Sequence, residues 1–160
     1  MLGSQPANRA NIERTLRARR NGYIMSGGIA ELFLSHRKAD ELYLLKRKGF
    51  VKLAKDTNAI LVPVYVFGHT RLFDQLASGG GLAMFLSRMI QGSITYFWGR
   101  YFLPFPYSTP ITAAYGAPLE IDWAHSTVDG VHDKFVAAVR TLYEANKHDA
   151  GYGDTPLVVA

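Results

Sequence analysis

One apolar stretch decides the fold: Ala59-Ile60-Leu61-Val62-Pro63-Val64-Tyr65-Val66-Phe67, followed by Gly68-His69. Its β-branched and aromatic residues predict a strand. Because both faces of this strand are apolar, it is typical of a parallel sheet that helices cover on both sides. Pro63 has no amide hydrogen to give to a strand ladder, so we expect an edge position or a bulge at this point.

Three segments before and after this strand have apolar residues at helical spacing and are predicted to be helices: residues 8–20, 48–57 and 127–147. Asparagines stand at the start of the first, and Ser126 or Thr127 is placed to cap the last. Strands that alternate with helices indicate an α/β layer structure, with a mixed or mostly parallel sheet and flanking helices. We therefore predict one domain, or a large piece of one, over residues 1–150 and a tail over residues 151–160, where no periodicity is evident.

The composition is that of a globular chain with an uneven charge. Hydrophobic residues make up 48% of the sequence, which excludes a disordered chain. There is no cysteine, and the histidines lack metal-ligand spacing, so no metal site is expected. Residues 1–55 hold 12 of the 18 Lys and Arg but only 4 of the 13 acids. Such a region attracts anionic lipid, a phosphorylated cofactor or nucleic acid, or it is a solvated helix face.

Neither a signal peptide nor a membrane-spanning run is evident in the sequence. The first residues lack a basic start followed by an apolar core. The richest apolar stretch, residues 82–103, is interrupted by polar and charged side chains. It falls short of the roughly 18 consecutive apolar residues of a spanning helix, and it fits either a membrane interface or a buried helix.

Two predicted strands end in glycine. Residues 23–25 read as a short buried strand that ends at Gly27-Gly28, and the strand over residues 59–67 ends at Gly68-His69. Ligands of open α/β sheets bind beyond the carboxyl ends of strands, where glycine lets them approach the backbone. A helix that begins after Gly28 would direct its amides at an anion. A tight turn is the other interpretation of these glycines.

Three further groups of residues could carry chemistry. Residues 46–52 place four cations beside Gly49 at a helix start, which suits the pyrophosphate of coenzyme A or a basic helix face. Glu31 could orient a hydroxyl or an arginine, or lie on the surface. His125 and Asp129 have the His-x-x-x-Asp-Gly spacing of coenzyme A-dependent chloramphenicol and plant-type acyltransferases. The alternative for this last pair is a helix cap with an acidic first turn.

Four blocks of this sequence resemble those of the diacylglycerol acyltransferase type-2 family, which includes monoacylglycerol and wax-ester acyltransferases. In chain order they are Tyr23-Ile24-Met25-Ser26-Gly27-Gly28-Ile29-Ala30-Glu31, Arg47-Lys48-Gly49-Phe50-Val51-Lys52-Leu53-Ala54, Leu61-Val62-Pro63-Val64-Tyr65-Val66-Phe67-Gly68, and Leu103-Pro104 with Pro110-Ile111-Thr112 and Gly116-Ala117-Pro118. Their order agrees with the C-terminal half of the family's domain. The resemblance also accounts for Pro63 as a family feature.

The resemblance implies an enzyme of the endoplasmic-reticulum membrane, with a partial glycerolipid-acyltransferase-like fold. Such an enzyme transfers a fatty acyl group from acyl-coenzyme A, a substrate and not a bound cofactor, to the hydroxyl of diacylglycerol. Its partners would be acyl-coenzyme A, glycerolipid and a membrane lipid surface, and nucleic acid is not expected. The implied substrate-binding residues are Gly27 and Gly28 as backbone donors, Glu31 as a positioning residue, Arg47, Lys48 and Lys52 as phosphate contacts, and Gly49, Phe50 and Gly68 within the blocks.

Two of the departures from the family pattern concern catalysis, and a third is Ser26, which stands where the family usually has proline. The family's His-Pro-His-Gly block, which supplies the general base upstream, has no counterpart among these residues. His69, at a position the family usually fills with another polar residue, is the substitute candidate. The alternative function is therefore a non-catalytic lipid-binding fragment. Its basic first third and the aromatic stretch of residues 96–107 would then bind a membrane surface.

Overall fold

The structure is a computed structural model that describes residues 8–25, 40–42, 44–75 and 97–160. Over these residues the elements are, in chain order, α1 (Arg9–Arg17), β1 (Asp40–Leu42), α2 (Gly49–Thr57), β2 (Val64–Phe67), a single 3-10 turn (His69–Arg71), β3 (Asp74–Gln75), β4 (Phe97–Trp98), β5 (Thr112–Tyr115), α3 (Val128–Asn146) and β6 (Leu157–Val159). Helices thus alternate with strands, and the predicted α/β class is confirmed.

The described strands form pairs of both directions. β2 and β5 are antiparallel, with Val64 opposite Tyr115 and Phe67 opposite Thr112. β3 and β4 are also antiparallel, whereas β1 and β6 are parallel. The strand over residues 59–67 is shorter than predicted and its described partner is antiparallel. It begins after Pro63, whose carbonyl accepts a hydrogen bond from the amide of Gly116 at 2.9 Å, so the proline takes part in this pairing as an acceptor.

The helices predicted over residues 8–20, 48–57 and 127–147 form over slightly shorter ranges, and local sequence explains their ends. The Asn8 side chain caps α1 by accepting from the amide of Asn11, and Thr127 caps α3 by accepting from the amide of Gly130. α2 ends at Asn58, which adopts the left-handed conformation with a φ of 50°. None of the described helices is long and apolar enough to cross a membrane.

The core lies between α3 and the strand pair β2–β5. Its main cluster is formed by Tyr65, Phe67, Ala114, Val139, Tyr143 and Tyr152. A second cluster joins α3 to the ends of β1 and β6 through Leu44, Val136 and Val159. Long aromatic side chains bury large apolar areas, so these clusters supply the main stabilising free energy of this region.

Two stretches differ from the sequence prediction. Tyr23 and Met25, predicted to lie in a buried strand, are 65% and 82% exposed and belong to no strand. The last ten residues have no periodicity, yet Leu157–Val159 form β6 and Tyr152 is buried in the main cluster. Both outcomes depend on which partner the segment meets, and that partner is distant in sequence in the case of β6.

Gly68 is required by the fold at the end of β2. Its φ is +97°, and a Cβ atom there would lie 2.3 Å from the carbonyl oxygen of Pro110. We expect Gly68→Ala to lower the free energy of unfolding by about 2 kcal/mol or more, because conformational strain adds to the steric clash. Urea denaturation followed by circular dichroism would measure the loss.

Two other glycines provide matched controls. Gly151 also has a positive φ, +75°, but has open space around it, and Gly49 has open space and no positive φ. Gly151→Ala should therefore cost only the conformational strain, and Gly49→Ala should cost nothing. Equal losses for all three variants would contradict the steric role of Gly68.

Candidate functional site

The basic block of residues 46–52 lies at the exposed start of α2. Lys46 and Arg47 precede the helix, and Lys52 stands one turn into it; all three are exposed. Lys48 is the N-terminal flanking residue, and its side chain makes no capping hydrogen bond to the first amides of the helix. Helix-start amides beside cations form the arrangement that holds phosphate. Gly49 leaves the backbone open, since a Cβ atom there would touch nothing within 4 Å.

One cation of this block already has a carboxylate partner. The Nζ atom of Lys48 lies 2.8 Å from Oδ1 of Asp129, in the first turn of α3. The hydrogen bond from Lys48 lowers the pKa of Asp129 below its ordinary value, and the positive charge of that ammonium lowers it further. The same hydrogen bond raises the pKa of Lys48. Lys48 is therefore less available to an incoming phosphate than the sequence suggests.

Phe50 lies between the two helices. Its ring packs edge-on against Phe135 with a centroid distance of 4.9 Å, and lies 6.1 Å from the ring of His132. His132 is buried, and its Nε2 donates to the carbonyl of Leu44 at 3.1 Å. Phe50 thus fixes the basic block to α3. His132 was not predicted from the sequence, although its spacing of four from both Val128 and Val136 places it on the apolar face of that helix.

A buried tyrosine holds the turn at Gly68. The amide of Gly68 donates to the Tyr152 hydroxyl at 2.7 Å, and the hydroxyl of Thr70 lies 3.3 Å from the same oxygen. The guanidinium of Arg71 stacks over the Tyr152 ring, 4.1 Å from its centroid. The Gly68 amide is therefore engaged within the chain, and a substrate-binding role for Gly68 stays a prediction. Nothing in the local pattern around Tyr152 signals this contact.

His69 is the exposed side chain of that turn. Its Nδ1 lies 2.7 Å from the carbonyl oxygen of Val66. A carbonyl oxygen can only accept, so Nδ1 carries the hydrogen and the neutral ring has its lone pair on Nε2. This tautomer can accept a proton from a hydroxyl, which is the property a general base requires. A catalytic role for His69 remains a prediction.

The members of the His-x-x-x-Asp-Gly pattern have separate partners. Nδ1 of His125 lies 2.6 Å from Oδ2 of Asp122, whereas Asp129 pairs with Lys48. The hydrogen bond from His125, together with the Ala124 amide, lowers the pKa of Asp122. Thr127, within the pattern, is the N-cap of α3. The geometry is that of a helix start with an acidic first turn, the second of the two interpretations.

Three predicted site residues, Gly27, Gly28 and Glu31, lie outside the described residues. Their proximity to the basic block or to His69 stays a prediction.

Comparison with known proteins gives the family. The diacylglycerol acyltransferase family model matches residues 1–160. The chain belongs to the diacylglycerol acyltransferase family. The match includes the Arg47–Ala54 and Leu61–Gly68 blocks on which the resemblance was based. No solved structure matches the chain.

Curated relatives of this acyltransferase-family chain carry two kinds of name. Diacylglycerol O-acyltransferase 1 of Eremothecium gossypii is 32% identical over 99% of this chain and 38% of its own length. The human diacylglycerol O-acyltransferase 2-like protein 6 is 34% identical over 82% of this chain and 44% of its own length. The mouse acyl-CoA wax alcohol acyltransferase 2 is 29% identical over 98% of this chain and 52% of its own length. The chain thus matches 38% to 52% of the length of these relatives.

The Lys48–Asp129 pair should make the stability of the protein depend on pH. Because the pKa of Asp129 is lowered by folding, the pair stabilises the protein above about pH 4 and loses this effect as the pH falls through the lowered pKa. Lys48→Met should raise the Asp129 pKa towards its ordinary value, which NMR titration of the side-chain carboxyl would detect. Lys134→Met, which removes an exposed cation elsewhere on α3, is the control. An unchanged Asp129 pKa in Lys48→Met would contradict the pairing.

Proposed function

We propose that this chain supplies the acyl-coenzyme A-binding part of an O-acyltransferase that forms triacylglycerol from diacylglycerol. The observation that carries the proposal is the family match over residues 1–160. The names of the relatives support an acyl acceptor that is either diacylglycerol or a fatty alcohol. We assign diacylglycerol because the family description and relatives from several organisms name it.

The donor would bind at the basic block. Coenzyme A carries its negative charge on phosphate groups, and these suit cations beside an uncapped helix start. Arg47 and Lys52 are exposed there, and Gly49 lets a phosphate oxygen approach the backbone. Asp129 offsets part of this positive charge through Lys48. Arg47, Lys48 and Lys52 are the phosphate contacts in this proposal, and the carboxylate of Asp129 engages Lys48 in the free chain.

The reaction is direct acyl transfer. The acceptor hydroxyl oxygen forms a bond to the thioester carbonyl carbon, the carbon–sulfur bond breaks, and the hydroxyl proton passes through a base to the departing thiolate. The base would be the histidine of a His-Pro-His-Gly block in the complete enzyme, with His69 as the candidate within this chain. Gly27 and Gly28 would donate amide hydrogens to the developing oxyanion, and Glu31 would position the site. The setting would be the endoplasmic-reticulum membrane, where the glycerolipid acceptor resides.

Coenzyme A affinity tests the assignment of phosphate contacts. Replacing both Arg47 and Lys52 by Ala should weaken coenzyme A binding to this chain roughly a hundredfold or more, since each charge-assisted hydrogen bond contributes about 1.5–3 kcal/mol and two are lost. Isothermal titration calorimetry would measure the change. Pantetheine, which has no phosphate, should bind the variant and the original chain equally. If both proteins bound coenzyme A with equal affinity, the basic block would not be part of the coenzyme A site.

The partner of Lys48 provides a second, opposite prediction. Asp129→Asn removes the carboxylate that occupies Lys48, so the affinity for coenzyme A should increase by several-fold, and the increase should shrink as salt screens the charges. Asp133→Asn, which removes an exposed carboxylate one turn further along α3, is the matched control and should have the smaller effect. A decrease in affinity on Asp129→Asn would contradict the placement of phosphate beside Lys48.

A further inference from the structure

A turn between β4 and β5 presents large apolar side chains to solvent. We call Gly99–Phe105 the aromatic turn. Within it Tyr101 is 84% exposed and Phe102 is 82% exposed, while Leu103 and Phe105 are about half exposed, at 49% and 58%. Isolated exposed apolar residues are common on protein surfaces, whereas four of them within one turn of seven residues are typical of an interaction site.

The backbone of the aromatic turn holds these rings outwards. Tyr101 and Phe102 have φ values of 59° and 58°, in the left-handed region that bulky side chains rarely adopt. The base of the turn is fixed by two hydrogen bonds of 2.8 Å, from the amide of Gly99 to Leu103 and from that of Arg100 to Phe105. Gly99 is required there, because a Cβ atom would lie 1.8 Å from the Phe105 carbonyl oxygen. A strained backbone persists only where its surroundings hold it, and such strain concentrates at functional positions.

The charge of this region favours a lipid partner. Arg100 is the only charged residue among residues 97–107. The acid that the strand pairing brings to this region is Asp74, which lies opposite Trp98 at the base of the turn and outside its tip. Tyrosine and other aromatic rings prefer the boundary between lipid headgroups and acyl chains, and an arginine beside them extends to the phosphates.

The arginine-rich α1 is less suited to the same role. Arg9 pairs with Asp56, and Arg17 pairs with Glu13 at 2.8 Å. Part of the positive charge of α1 is thus neutralised within the chain. Of the two surfaces that the sequence offers for membrane binding, the structure favours the aromatic turn.

We propose that the aromatic turn inserts Tyr101 and Phe102 into the interfacial layer of a phospholipid membrane, with Arg100 at the headgroup phosphates. This inference goes beyond the proposed acyl transfer and does not rest on it. Insertion removes two exposed rings from water, so its driving force is apolar burial and not charge attraction. Binding should therefore persist at about 1 M salt, where the screening length is only about 3 Å.

A single fluorescent label tests the insertion. The chain has no cysteine, so Phe102→Cys creates one site for an environment-sensitive nitrobenzoxadiazole label. With phosphatidylcholine vesicles at high salt, its emission should increase and shift to the blue. Ile60→Cys is the matched control, because Ile60 is 73% exposed and lies outside the aromatic turn. An unchanged emission at position 102, or equal changes at both positions, would overturn the proposal.

Substitution of the two rings gives an independent test on the full chain. Tyr101→Asn with Phe102→Asn removes the apolar surface but keeps the backbone, because asparagine tolerates the left-handed conformation. Sedimentation with the same vesicles should show a partition coefficient at least about tenfold lower, equivalent to about 1.4 kcal/mol. Tyr23→Asn with Met25→Asn, which replaces two other exposed residues, should leave it unchanged.

Two results would contradict membrane insertion of the aromatic turn. If vesicle binding survives the asparagine pair and disappears at high salt, the basic helices bind the membrane and the proposal is wrong. If the asparagine pair instead converts an oligomer to a monomer in size-exclusion chromatography without lipid, the turn contacts a second copy of the chain. Neither result depends on acyl transfer, so the two proposals fail or stand separately.

Discussion

The packing of α3 against β2 is the interaction on which the rest of the described structure depends. Tyr143 is fully buried, its ring stacks on Phe67 at 5.3 Å, and Tyr65 meets it edge-on at 5.0 Å. Tyr152 completes this aromatic cluster from the other side of Phe67. Offset and edge-on ring pairs add directional attraction to the burial of large apolar areas. The cluster thereby fixes α3, the end of β2 and the C-terminal segment relative to one another.

Two candidate features of the described residues follow from that arrangement. The N-terminal turn of α3 lies beside the start of α2, so Asp129 reaches Lys48 and offsets part of the charge of the basic block. The hydroxyl of Tyr152 reaches the amide of Gly68 and holds the turn that presents His69. Donor binding and proton acceptance are thus proposed for two elements joined by one core. The proposed membrane contact lies on a separate turn, which would keep the chain at the surface where glycerolipid acceptors reside.

The sequence predicted what depends on local pattern and missed what depends on distant partners. Periodicity and caps gave all three helices, since residues 127–147 carry both signals within the segment. Pro63 correctly marked an irregularity, although the strand starts after it. The antiparallel partner of β2, the strand β6 and the Lys48–Asp129 pair join residues more than 40 positions apart, and no local spacing encodes them. His132 was readable from its helical face, whereas Tyr152 was not.

We propose that this chain carries the donor-binding half of an acyltransferase. This proposal can be tested with a chimera in which residues 1–160 replace the matching residues of the Eremothecium gossypii diacylglycerol O-acyltransferase 1. Membranes that contain the chimera would receive labelled acyl-coenzyme A with either diacylglycerol or a fatty alcohol. We expect labelled triacylglycerol, with transfer lost when Arg47 and Lys52 are both replaced by Ala. A chimera that reaches the membrane at the parental level but acylates neither acceptor would contradict it.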